Sequence, residues 1–271
     1  VHARHSTGGY FGESSVSRQF AQEYYDEGDD SSLIAGLSDA EQQSLLLDDT
    51  LLPDTVLLAD GSRLSWNGSA DEMREACRAL RGSILRQEVY ALDGSDAADR
   101  PYSVSERNYR IEVLQPRGAN PYSVFFAFTC EAIDFHYERK LYKVLGNQLV
   151  DQAAPPPGAK DAADPRVSHA LTLKIDPFGN VLHTAAGAYG RRYLDPTLTP
   201  DDQRKQTAPL CTYAQASYTN AVLAEDAYRA PLPAQSSSYE FIQLPPSSAP
   251  PGITPLLGFT QLASAIQTAA D

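Results

Sequence analysis

Cysteine is scarce in this chain: three in 271 residues, at Cys77, Cys130 and Cys211. They lie far apart, form no C-x-x-C pair, and their odd number leaves at least one thiol unpaired within the chain. That argues against a disulfide framework. Buried free thiols are the expectation for all three. Basic residues are also few. Lys and Arg number 22 against 35 Asp and Glu, for a net charge of −13 and a pI near 4.8. Such a chain lacks the positive footprint that nucleic acid or an anionic membrane surface requires. Long apolar runs are missing too. The longest strictly apolar run, Val124 to Phe128, is far short of a membrane span. No charged amino-terminal region leads into an apolar stretch, so no signal peptide is expected. The chain opens on "VHARHSTGGYFG" without an initiator Met, which reads as an excerpt of a longer polypeptide.

What is present can build a core, since 42% of residues are hydrophobic. Residues 14–25 fit a strand or a short helix. Ser38 and Glu41 form a capping-box pattern, predicting a helix over 39–47. "DTVLLADGSRLSW" predicts a hairpin turning at Asp60-Gly61. Ser69 and Glu72 form a second capping box. Met73, Ala76, Cys77 and Leu80 then follow at helical spacing, and Gly82 supplies the stop. Cys77 lies on that apolar stripe, which favours a core thiol over a nucleophile. From 83 to 244 strands dominate, joined by turns rather than crossover helices. Thr199 and Pro200 open one short helix among them.

The predicted fold is therefore mainly β: antiparallel strands and hairpins, with a few short peripheral helices. The expected organisation is a transition segment (1–68), a helix followed by strands (69–142), a Pro-rich solvated loop (143–165), a hairpin region (166–244), and a linker with the start of a helix (245–271).

Few patterns carry chemistry. There is no G-x-S-x-G elbow, no phosphate-binding P-loop and no EF-hand order in the acidic run Glu23–Asp30. The sharpest candidate is "DFHYE". Asp134, His136 and Glu138 alternate along a strand and would share one face, as a metal site or an acid/base pair of an enzyme. A solvated stripe opposite Ile133, Phe135 and Tyr137 explains the same residues, and positions i and i+4 of one straight strand stand far apart for a single ion. His169 and His183 fall on successive strands and should not converge. A carbohydrate-binding module is a further reading, resting on 15 tyrosines, although half-buried strands use Tyr equally. "KIDPFGNVLHTAAGAYGRRY" (174–193) could suggest a phosphate loop, but Asp176, Pro177, Gly179 and Asn180 suit a hairpin turn. Arg191 and Arg192 are expected to pair with carboxylates, across the sheet or in a lining.

Several longer phrases then stand out in order: "SRQFAQEYYDEGD", "EACRALRGSILRQEVYALDGSDAADRPYSVSERNYRIEVLQPRGANPYSVFF", "HYER", "DPRVSHALTLKIDPFGNVLHTAAGAYGRRY" and "LTPDDQRKQTAPLCTYAQASYTN". Together they resemble the B component of the tripartite insecticidal toxin complexes, the Tc toxins. The likeness is to its middle region, between a β-propeller and the Rhs/YD-repeat shell, and covers most of 9–30 and 75–244. The D-x-x-G-N turn at Asp176–Asn180 is similar to the turn of YD repeats. The chain departs from the family pattern between Lys140 and Ala163, where about twenty extra residues intervene. It also carries nothing like the self-cleaving aspartate of the C component.

The resemblance implies a structural role with no catalytic residue, cofactor or metal. This segment would be wall or neck of a hollow shell that, with the C component, encloses a toxic polypeptide. The B subunit's propeller would dock on the pore-forming A component. The complex would be secreted, with no nucleic acid and no direct membrane insertion. Strand edges in such a wall need neighbours from the rest of the subunit, so the excerpt alone should be poorly soluble or molten.

Overall fold

The structure, a computed structural model, describes residues 47, 50, 52–98 and 100–241. The helix expected at 39–47, the 14–25 element, the acidic run at 23–30, the 245–255 linker and the helix at 258–270 lie outside the described residues.

The first elements follow local sequence signals closely. β1 (Thr55–Leu57) and β2 (Arg63–Ser65) form the expected antiparallel hairpin. Gly61 takes φ +82°, and the Asp60 carboxylate accepts from the Ser62 N–H and hydroxyl. α1 (Ala70–Ala79) starts at the Ser69 cap with both halves of the capping box in place. It lies against β5 and buries Ala76 completely. Cys77 is only half-buried, a correction to the expected core thiol. Ala76 takes the centre of the buried stripe and Cys77 its flank. Cys130 and Cys211 are buried, as expected.

β3 (Arg86–Val89) and the long β4 (Ser103–Gln115) and β5 (Val124–His136) follow. β6 (Leu141–Leu145), β7 (Gln148–Leu149) and β8 (Lys160–Ala163) come next, then β9 (Arg166–Ile175) and β10 (Val181–Tyr189). α2 (Pro200–Thr207) has Thr199 as its cap. β11 (Leu210–Tyr218), a small hairpin of β12 (Val222–Ala224) and β13 (Ala227–Arg229), and β14 (Pro233–Phe241) complete the described chain.

Nine strands make one sheet in the order β14-β11-β10-β9-β5-β4-β1-β2, with β3 also on β4. Among the described residues, every pairing in it is antiparallel except a single β1–β4 contact, Val56 opposite Val113. β5 pairs with β9, so one sheet runs continuously through the helix-and-strand segment and the hairpin region. A core cluster joins Val104, Ile133, Phe135 and Val167 of its central strands to Tyr137 just past β5 and to Ala163 of β8.

The stretch 143–165 corrects the sequence reading. It was expected as a solvated loop, yet β7, β6 and β8 form a three-stranded sheet there. Gly146-Asn147 makes a two-residue turn between Leu145 and Gln148, with Gly146 at φ +61°. A first-position glycine of this kind is a hairpin signal. Val144 and Ala162 give the small sheet an apolar face, and they pack on Tyr193. Pro155–Pro157 remain in a largely exposed loop between β7 and β8.

Candidate functional site

The "DFHYE" residues are not brought together. Asp134 accepts from the Ser105 hydroxyl at 2.5 Å and lies 3.8 Å from the Arg107 guanidinium. His136 is exposed at the last position of β5. Glu138 lies past the strand end, where it and Arg139 adopt left-handed φ of +57° and +56°. That corner takes Glu138 off the strand face and into an ion pair with Arg166. Among the described residues, no three His, Cys, Asp or Glu side chains are placed to hold a metal ion.

Arg139 gives "HYER" a structural meaning instead. Its guanidinium donates to Asp93, Ser95 Oγ, Tyr102 Oη and the Ala97 carbonyl, and it lies over the Tyr102 ring. One side chain thereby holds residues 93–97 and Tyr102 against the end of β5. The Arg139 hydrogen bond is the main cause that lowers the Asp93 carboxyl well below its ordinary range, with the Ser95 donors adding to it. Glu72 acts similarly at the other end of the β4–β5 hairpin. Beyond the capping box, it accepts from the Arg117 N–H at 2.9 Å and the Ser123 hydroxyl at 3.2 Å, while Glu75 accepts from the Ser123 N–H. These donors, led by the Ser69 N–H, bring Glu72 down to about 2.

The 174–193 stretch is a hairpin with its turn at 176–180. Asp176 accepts from the N–H groups of Phe178 and Asn180 and from the Asn180 side chain. The amides a phosphate would need are therefore already bonded within the turn. Gly179 has φ +79°, and the Phe126 ring lies 2.8 Å from where its Cβ would stand. Gly190 serves a different purpose. A Cβ there would meet the Thr207 carbonyl oxygen at 2.0 Å, because α2 ends directly on this glycine.

Arg191 and Arg192 were expected to pair with carboxylates. The Arg191 guanidinium donates to the Asp164 carbonyl oxygen at 2.6 Å. The Asp164 carboxylate accepts from the Arg192 backbone N–H at 2.9 Å. Together they tie the connection after β10 to the β8–β9 corner.

The histidines do not converge. His183 stands opposite Lys174, at a point where the β9–β10 register shifts. Its Nδ1 meets the Tyr213 hydroxyl at 3.1 Å. Burial, with the Lys174 charge, lowers its pKa. His169 is fully buried. Its Nδ1 lies 2.9 Å from the Tyr189 hydroxyl and its Nε2 3.2 Å from Glu131 Oε2. Glu131 Oε1 accepts from Asn108 Nδ2 at 2.8 Å, and the Glu131 N–H donates to Asn108 Oδ1 at 2.8 Å. This Tyr–His–Glu–Asn chain crosses β10, β9, β5 and β4. A proton on Nε2 satisfies every member at once. Sequence reasoning kept His169 and His183 apart but missed Asn108, Glu131 and Tyr189. The available signal was Glu131 itself, a carboxylate in the middle of the mostly apolar run "FFAFTCEAI".

Fold and site together define a structural β-sheet segment, with its polar side chains engaged in holding strands and corners. Residues 75–147 and 159–230 match the family described as the insecticide toxin TcdB middle/C-terminal region, and the chain belongs to that family. The match skips 148–158, within the Pro-rich departure noted in the sequence. Among solved structures, the chain is similar to a crystal structure of TcdB2-TccC3-Cdc42 at 25% identity and TM-score 0.51, over 72% of this chain and 9% of that one. It is similar to a crystal structure of TcdB2-TccC3 at 25% identity and TM-score 0.50, over 75% and 10%. It shares the fold of a chain in a Photorhabdus luminescens Tc holotoxin pore at 22% identity and TM-score 0.50, over 77% and 9%. The chain thus spans about a tenth of the length of these structures' chains. No curated protein matches it. No helix among the described residues is long and apolar enough to cross a membrane.

Proposed function

We propose that this chain forms part of the wall of a hollow shell in a toxin-complex B subunit. With a TccC-type C component, the shell encloses a cytotoxic polypeptide that the pore-forming A component delivers, and the complex acts outside the producing cell. The observation that carries this reading is the nine-stranded sheet with its outer strands at β14 and at β2–β3, in a chain of the TcdB middle/C-terminal family. Outer strands present unpaired backbone groups and are stable when neighbours cover them. The engagement of Arg139, Glu72, Asp176 and His169 in internal bonds supports a wall over an enzyme site.

Protease protection tests it. The complete subunit containing this chain is co-expressed with a TccC-type protein, and added protease is used to probe the payload. The payload should resist digestion. Ala170→Pro, which removes a ladder donor from β9 between β5 and β10, should expose it while the two proteins still co-purify. A payload equally protected after that change, or digested in the unaltered complex, overturns the proposal.

A further inference from the structure

β5 carries one alternating stripe, at Phe125, Ala127, Thr129, Glu131, Ile133 and Phe135. In an unbroken strand these would all face one way. The register shows otherwise. Asn108 pairs with Glu131, and Tyr109 with Thr129, so Cys130 is an extra residue, a β-bulge. Before the bulge, Phe125 and Ala127 pair with Val113 and Ile111. Beyond it, Ile133 and Phe135 pair with Glu106 and Val104. Val104 and Ile111 lie on opposite faces of β4. The bulge therefore moves the β5 stripe from one face of the sheet to the other. Both faces are buried where the stripe meets them, at Ile111 and Val113 on one, and at Val104, Ile133 and Phe135 on the other.

We infer that the Asn108–Glu131–His169–Tyr189 chain is a register lock that specifies this bulge. A bulge disrupts the ladder at one point, and a buried N–H there needs a partner. Asn108 Oδ1 takes the Glu131 N–H, while Asn108 Nδ2 takes the Glu131 carboxylate. His169 and Tyr189 extend the chain over two further strands, with their rings stacked 6.2 Å apart. Gly187, directly across from His169, presents no side chain there. A slip of β5 by one residue would turn Glu131 away from both Asn108 and His169 and reverse its apolar stripe. A hydrophobic cluster tolerates such a slip more readily than a chain of matched donors and acceptors.

Amide hydrogen exchange on the complete subunit containing this chain tests the lock at its own position. Asn108→Ala removes both bonds to Glu131. It should accelerate exchange of the Glu131 amide roughly ten- to hundredfold, as expected for a buried donor left without its acceptor. Ser105→Ala removes the Ser105–Asp134 bond on the same strand pair away from the bulge, and should leave the Glu131 amide within about threefold of the parent. Equal acceleration by both variants, or none with Asn108→Ala, overturns the inference. If Asn108→Ala does not fold, Tyr189→Phe decides. It deletes one hydroxyl two strands from β5, and the lock requires faster exchange at Glu131, whereas an unchanged rate overturns it.

Discussion

Gly190→Ala isolates one physical cause. The new methyl would stand 2.0 Å from the Thr207 carbonyl oxygen, 2.2 Å from its carbon and 2.7 Å from its Cα. Ordinary contact begins near 3.4 Å, and all three atoms are backbone, which cannot swing aside as a side-chain tip can. The Arg191 N–H also donates to the Gln206 carbonyl at 2.9 Å, so the last turn of α2 is tied to the same spot. Overpacking costs about 1–3 kcal/mol, and a clash with fixed backbone belongs at the top of that range. At about 2–4 °C per kcal/mol for a domain of this size, the melting midpoint should fall by about 6–12 °C. Gly61→Ala is the companion. Its site is open, with nothing within 4 Å of the added atom, but φ is +82°. The left-handed penalty of about 1–2 kcal/mol gives a fall of about 2–8 °C. Calorimetric or circular-dichroism melts of the complete subunit, in which the strand edges have their neighbours, rank the two. A Gly190→Ala protein that melts within 2 °C of the parent, or above Gly61→Ala, would refute the close-approach argument.

Three further outcomes are expected. Glu72 has a lowered folded-state pKa of about 2, so its contribution is present above the ordinary carboxylate range and lost as pH falls from about 4.5 towards 2. Glu72→Gln should therefore melt below the parent at pH 6, and the gap should close near pH 2, as read by paired thermal melts. Arg63 holds the buried Glu112 with two bonds of 2.6 and 2.7 Å. Arg63→Ala should cost about 2–3 kcal/mol in denaturant unfolding, below the value for a fully buried pair because Arg63 is 44% exposed. Replacing both residues by Leu should recover much of that. Iodoacetamide should label Cys77 first, and should label the buried Cys130 and Cys211 only on unfolding. Burial raises the Cys211 pKa and so suppresses its thiolate.

Elements with local causes were legible in the sequence. The Ser69–Glu72 box, the Thr199-Pro200 start, the Asp60-Gly61 turn and the Asp176–Asn180 turn each rest on residues a few positions apart, and each is found as expected. Features that depend on distant pairing were not. The Cys130 bulge is invisible until β5 is laid beside β4. Arg139 reaches back more than forty positions to Asp93, and Asn108, Glu131, His169 and Tyr189 meet only when four strands are in register. The β6–β7 hairpin was missed because the nearby proline triplet outweighed the Gly146-Asn147 signal. "DFHYE" misled because alternation was carried through a corner. The strand ends at His136, and left-handed Glu138 and Arg139 turn the chain away.

The central claim is that this sheet is built into a shell wall. Electron cryomicroscopy of the complete subunit bound to a TccC-type partner tests it most directly. The account predicts residues 55–241 within a continuous wall around the payload, with the outer edge of β14 hydrogen-bonded to a neighbouring strand. A sheet standing outside the wall as a separate lobe, with β14 open to solvent, would contradict it.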